Sequence, residues 1–253
     1  MDDQLNTILY SVFGGFLPII VWLWFWLKED REKPEPAGLI FRVFLAGGLA
    51  VAAAFLLERA ACNLNWLTYA CQQIADPEQL NLVAPSKILL LTWSAIEELL
   101  KLAAAYFVIF RRPEFDEPVD AMIYLITAAL GFAALENSLF LFHTLIESGD
   151  NATFFLTGNL RFLGANIVHV VASAMVGGTI ALAFCFHGWR CWFYTALGLI
   201  TAILLHALFN FLIIMSVGND LLKIFALLWL FTILIILLFE KVKTIVCQPV
   251  KHV

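Results

Sequence analysis

Charge is what this sequence has least of. Asp, Glu, Lys and Arg make up 14% of its 253 residues, against 62% hydrophobic residues. A soluble domain carries about a quarter charged, so with a mean hydropathy of +0.89 an ordinary soluble enzyme is excluded. A basic surplus is also missing: the net charge is −5, which argues against nucleic acid as a partner. No Lys or Arg precedes the first apolar run, only Asp2 and Asp3, so that run does not read as a cleaved signal peptide. The apolar runs are continuous and lack the period-2 alternation of a membrane barrel. The five cysteines form no CxxC pair and no Cys/His metal spacing. Cys62 and Cys71 share one loop; they could pair if it faces an oxidising compartment, and unpaired thiols at the membrane edge are an equal alternative. His-Glu-x-x-His, Gly-x-Ser-x-Gly and Gly-x-Gly-Asp are all absent, which removes the most familiar hydrolase signatures.

What the sequence has instead is length in its apolar runs. Seven reach spanning length, at 8–27, 38–57, 86–110, 119–143, 160–186, 191–214 and 221–240. The expected fold is all-α, a polytopic integral membrane protein of about seven transmembrane helices. One domain, 1–253, is expected, with its motif-bearing core at about 86–214. Pro34 and Pro36 end the first hairpin, Pro85-Ser86 opens the third span, and Arg111-Arg112-Pro113 closes it. The longest loop is 58–85. Lys28, Arg31, Lys33, Arg111, Arg112, Arg190, Lys241, Lys243 and Lys251 fall in alternate loops and the tail, whereas the other loops hold only Arg59, Arg161 and Lys223. This bias places the N-terminus outside and the C-terminus in the cytoplasm of a plasma or inner membrane.

The few charges inside the spans carry the chemistry. Glu97, Glu98 and Lys101 lie within the third apolar run, and a charged side chain near the bilayer centre costs at least about 2.5–3.5 kcal/mol. At helical spacing Lys101 reaches both carboxylates, as i,i+4 and i,i+3 partners. The fourth span holds Glu136-Asn137, the fifth His169, and the sixth His206 with Asn210 one turn on. At about 1.5 Å per residue, Glu97 lies roughly 16 Å, Glu136 roughly 10 Å, His169 roughly 13 Å and His206 roughly 12 Å from the same membrane face. The spans alternate in direction, so sequence order does not force this agreement. One polar layer in the outer half of the bilayer follows. A desolvated carboxylate there can act as a general base near neutrality, with His and Asn groups holding an oxyanion. Alternatively, Glu97, Glu136, His169 and His206 bind zinc.

Glu97-Glu98-x-x-Lys101, Phe132-x-x-x-Glu136-Asn137, His169 and His206-x-x-x-Asn210 resemble the motif set of the PrsW family of intramembrane proteases, which is related to the CAAX prenyl protease superfamily. The polar hairpin from Lys28 to Pro36 is similar to that family's first cytoplasmic loop. The resemblance covers roughly residues 15–215. It implies a membrane-embedded peptidase acting on membrane-anchored proteins, anti-sigma factors among them, with a metallopeptidase or a glutamate mechanism. It further implies Glu97 or Glu98 as the water-activating base, and Glu136 and His169 as holders of that water or a metal. His206 and Asn210 would polarise the scissile carbonyl, and Lys101 and Asn137 would position the carboxylates.

Blander readings stand beside these. The Glu97–Glu98–Lys101 turn can be a register-fixing ion pair, and Glu136-Asn137, His169 and His206-Asn210 can be interhelical hydrogen bonds. Ser173 and Phe132 read as packing residues, Gly177-Gly178 as a close helix approach, and Trp22, Trp24 and Trp26 as an interfacial anchor. The rival functions are a proton-coupled transporter and a nonenzymatic membrane scaffold. Against a transporter, the sequence shows no internal repeat and keeps its polar layer to one depth. Composition and spacing leave the oligomeric state open.

Overall fold

A computed structural model describes residues 2–30, 33–64, 71, 86–148, 150–216 and 220–247. All regular structure among them is helical: α1 (Asp2–Glu29), α2 (Ala37–Cys62), α3 (Lys87–Val108), α4 (Asp120–Ser148), α5 (Asn151–Leu160), a π-helical turn (Arg161–Ala165), α6 (Asn166–Leu182), α7 (Trp189–Met215) and α8 (Asp220–Lys243). The π turn joins α5 to α6 in one rod, so seven rods are present. Six are long and apolar enough to cross a membrane. The exception is α3, which carries Glu97, Glu98 and Lys101 in its middle. The chain is thus an all-helical multi-pass membrane protein.

Local sequence explains where the helices begin. The Ser86 side chain accepts the Leu89 N–H at 3.4 Å and caps α3, satisfying one of the orphan donors of a helix start. Asp150 caps α5 through the N–H groups of Ala152 and Thr153. The fifth rod therefore starts some nine residues before the expected 160, a polar first turn having masked it. α2 likewise runs on to Cys62, into the loop expected at 58–85, most of which lies outside the described residues.

Packing sets α4 and α6 at the centre. In both of their spans 72% of the most apolar window is buried inside the protein, against 22% for α7 and α8. α4 lies against α1, α2 and α6; α6 also meets α7 and α8; and α3 bridges α2 and α7. The helices α2, α3, α7, α6 and α4 thereby close a ring. Two glycines bring α2 and α4 into backbone contact. A Cβ on Gly47 would lie 2.0 Å from the Ala128 carbonyl oxygen, and one on Gly131 would lie 2.0 Å from that of Phe44. Such small-residue crossings drive helix association in lipid, where the hydrophobic effect does not. Gly177 and Gly178 make the close approach expected of them, to α4 at Ala121 and to α8 at Leu238.

The Trp-rich end of α1 is not simply an anchor. Trp24 is exposed, but Trp26 is buried in the core against Phe239, and Trp22 packs on Trp229 and Phe162. The neighbouring α8 covers that face, which span-by-span reading cannot reveal. Two disulfides sit at opposite ends of the bundle. Cys62–Cys71 lies beyond the C-terminus of α2, and Cys185–Cys247 joins the turn after α6 to the segment after α8.

Candidate active site

One helical turn of α3 is the starting point. Glu97, Glu98 and Lys101 point into the ring and are all buried. The Lys101 ammonium donates to Glu98 Oε1 at 2.7 Å and lies 3.5 Å from Glu97 Oε2. It therefore reaches both carboxylates, as i,i+3 and i,i+4 spacing requires. It also lies 4.7 Å over the Phe132 ring, so Phe132 is the apolar floor of the lysine as well as a packing residue.

Two imidazoles close over this turn. His206 Nδ1 is 2.8 Å from Glu98 Oε1, and His169 Nε2 is 3.0 Å from Glu136 Oε2. Each carboxylate accepts, so those nitrogens carry the hydrogens. The remaining nitrogens then present lone pairs inward. His206 Nε2 lies 3.9 Å from Glu97 Oε2, and His169 Nδ1 lies 3.9 Å from the same oxygen and accepts from Lys101 at 2.7 Å. The two rings are edge-on, with centroids 5.0 Å apart. One ligand atom each of Glu97, His169 and His206 falls within 4.8 Å of the others. An imidazole backed by a carboxylate on its far nitrogen, as both of these are, is the usual support of a metal-binding histidine.

The donor set suits zinc, which takes His nitrogen and carboxylate oxygen. Lys101 is the one obstacle, because its ammonium occupies the His169 lone pair. Its second partner, Glu98, gives it somewhere to withdraw to. The residues present therefore fit a divalent ion held by Glu97, His169 and His206.

The two glutamates have different duties. Both Glu98 oxygens are engaged, Oε1 by Lys101 and His206 and Oε2 by Ser173 at 3.5 Å. Glu97 keeps Oε1 without a hydrogen bond among the described residues. Glu136 stands outside the metal-capable triad, one imidazole removed. It receives both His169 Nε2 and, at 2.8 Å, Arg161 Nη2. Asn137 does not touch a carboxylate; its amide lies between Arg161 Nε and Asn166 Oδ1. Asn210, half-buried one turn beyond His206, makes no hydrogen bond among the described residues.

Exposure locates the mouth. The Glu136 side chain is 32% exposed and that of Arg161 15%, while those of Glu98 and Lys101 are sealed. Asn166 and Arg161 were not foreseen as parts of this cluster, and Ser173, read from the sequence as a packing residue, bonds Glu98 instead. Arg161 had a signal of its own, as a lone arginine eight residues ahead of His169 at the edge of an apolar run.

Fold and cluster together define a polytopic helical membrane protein with a buried Glu–His–Lys centre in one half of its bundle. The chain belongs to the PrsW family: the family model described as PrsW family intramembrane metalloprotease matches residues 35–238. Among curated proteins, it is similar to the Protease PrsW of Geobacillus kaustophilus, 28% identical over 135 residues that cover 53% of each chain. That of Oceanobacillus iheyensis is 30% identical over 134 residues, covering 53% of this chain and 55% of the relative. That of Halalkalibacterium halodurans is 24% identical over 135 residues, covering 53% and 56%. The chain thus spans about half the length of the curated relatives it matches. No solved structure matches it.

Proposed function

We propose that this chain is an intramembrane endopeptidase that hydrolyses membrane-anchored proteins through a water activated between Glu97 and the two histidines. The observation carrying this reading is the convergence of Glu97, His169 and His206, three buried groups from three helices, within 4.8 Å. Family membership supports the reading and favours a metal-dependent reaction. The bilayer supplies the surroundings, the whole chain 1–253 acts as one domain, and anti-sigma factors are one substrate class. The Lys and Arg bias puts the site in the outer half of the membrane, with the N-terminus outside and the C-terminus in the cytoplasm.

Each residue then has a role. Glu97 Oε2, His206 Nε2 and His169 Nδ1 would hold the metal. When bound, zinc supplies Lewis-acid polarisation and an easily deprotonated water. Glu97 Oε1 receives the proton of the attacking water. Glu98 fixes His206 in the tautomer that turns Nε2 inward, and Lys101 compensates the two carboxylates. Asn210, with its amide unspent, donates to the oxygen of the scissile carbonyl. The proton on Glu97 finally passes to the departing amine.

The test uses purified protein in lipid vesicles with a quenched, membrane-anchored peptide. Cleavage is expected, with loss on exhaustive chelation and return on adding zinc. Cleavage that survives Glu97→Gln, Glu98→Gln and His206→Ala would remove the peptidase reading. Cleavage that survives chelation, in protein shown by elemental analysis to hold no metal, would replace the metal with the glutamate mechanism alone.

A further inference from the structure

Resting on the peptidase reading, we propose that Arg161 is a positioning residue, which fixes the hydrogen-bond direction of the whole mouth of the site. A guanidinium can only donate. Arg161 Nη2 donates to Glu136 Oε2 at 2.8 Å, and that oxygen also lies 3.0 Å from His169 Nε2. Glu136 is thereby held as an acceptor, the hydrogen of His169 is held on Nε2, and the Nδ1 lone pair is kept facing Glu97. The second branch is equally directed. Arg161 Nε donates to Asn137 Oδ1, which turns the Asn137 amide nitrogen toward Asn166 Oδ1. The Asn166 amide nitrogen ends the chain, buried and with no partner among the described residues. One cation thus orients a carboxylate, an imidazole and two amides.

The backbone is built to allow this. On a regular α-helix, at 3.6 residues per turn, Arg161 would sit about 140° around the axis from Asn166. The π turn shrinks that offset: the Asn166 N–H bonds the Arg161 carbonyl five residues back, bringing the two residues toward one face. π turns of this kind are rare and concentrate at functional sites. Phe140 covers the guanidinium, 4.4 Å from its ring centroid, and restricts the side chain to the fork geometry that two acceptors need. Lysine, a point donor on a flexible stem, cannot serve Glu136 and Asn137 together.

The experiment compares the wild type with Arg161→Ala and Arg161→Lys in vesicles with the quenched peptide, and reads His169 by ¹⁵N NMR. Arg161→Ala is expected to lower kcat about 10- to 100-fold, as loss of a supporting partner does, with KM little changed. Millimolar guanidinium should restore much of the activity, and methylammonium should not. Arg161→Lys should recover only part of it. The His169 signals should move from a single Nε2–H tautomer to a mixture in Arg161→Ala. Wild-type kcat in Arg161→Ala would overturn the proposal, as would a loss that guanidinium does not reverse while the His169 tautomer stays fixed. The NMR arm needs no turnover: if the wild type itself fails to cleave, the peptidase reading fails, and an altered tautomer in Arg161→Ala still upholds the positioning role.

Discussion

The two ends of α4 each carry a buried polar cluster, and only one resembles a reaction centre. At the Glu136 end, groups from α3, α4, α6 and α7 meet, and two imidazole nitrogens and one carboxylate oxygen converge on a common point, two of them bridged by Lys101. At the Asp120 end, Asp120 accepts the N–H groups of Asp116 and Glu117, and Tyr124 donates to Glu35. Those carboxylates are engaged in tying a loop to a helix start. Asp30, buried beside them, has one oxygen without a partner among the described residues. It is held near neutral, with its titration pushed up to about 7, by burial first and then by Asp120 and Glu117, against the pull of Lys243. Between the ends, residues 121–134 of α4 are all buried and almost all apolar. From Tyr124 to Glu136 that is about 18 Å at 1.5 Å per residue, and its one hydroxyl, on Thr127, is bonded back to Ile123. A proton relay would need polar steps across that stretch, so the arrangement suits two separate sites better than one transport path. The comparison teaches that burying charge is common to both ends, whereas converging three ligand atoms that could hold a metal is, among the described residues, not.

The strongest way to break this comparison is to remove one carboxylate from each end. Glu97→Gln is expected to lower peptide cleavage by about 10²- to 10⁴-fold, the usual worth of a positioned base, and Glu35→Gln to leave it near wild type. Equal losses in the two vesicle assays would mean that the ends are coupled.

Lysines sharpen it next. Lys101→Met strands two buried carboxylates and should destabilise the protein by about 3–5 kcal/mol, read as a fall in melting temperature in detergent. Lys33, paired with Glu117 but 73% exposed, should be replaceable by Met with no measurable change, because exposed pairs contribute little. A third test divides the neighbouring glutamates. Glu98→Gln loses the support of His206, so metal affinity should drop about 10- to 100-fold, and excess zinc should restore cleavage. Glu97→Gln should resist that rescue.

The smallest effect is expected at Asp30. An acid whose titration is raised on folding binds its proton more tightly in the native state, so the stability it contributes is lost as pH climbs from about 4 to about 7. Asp30→Asn should therefore flatten the pH dependence of the melting temperature over that window. The gain at pH 8 should be a few degrees at most, since about 1 kcal/mol moves a chain of this size by about 2–4 °C. A variant as pH-sensitive as the wild type would show that Asp30 is not the group responsible.

The polar layer was legible in the sequence because depth is countable. A fixed rise per residue and alternating span direction put Glu97, Glu136, His169 and His206 at one level, and the side chains do meet. Direction around each helix was less legible. Residue counting could not separate Glu97, with its free oxygen, from Glu98, whose oxygens are both taken, nor turn Glu136 toward Arg161. It left Arg161 as a loop charge because the π turn shifts the face on which it sits, and nothing in Arg161-Phe-Leu-Gly-Ala165 announces that turn. Trp26 was misplaced for a related reason: what covers a span is decided by a helix two hundred residues away.

The sulfur bridges give the bundle a compass. Cys62–Cys71 closes at the Glu136 end and Cys185–Cys247 at the Asp120 end, so whichever way the chain threads a membrane, the two never share a compartment. In a cell whose interior is kept reduced, just one of them faces the thiol pool. The lysine-rich side carries Cys185, Cys247 and the free thiol Cys191; should that side face the thiol pool, an alkylating label in freshly opened cells is expected to take all three sulfurs, while the opposite pair stays closed.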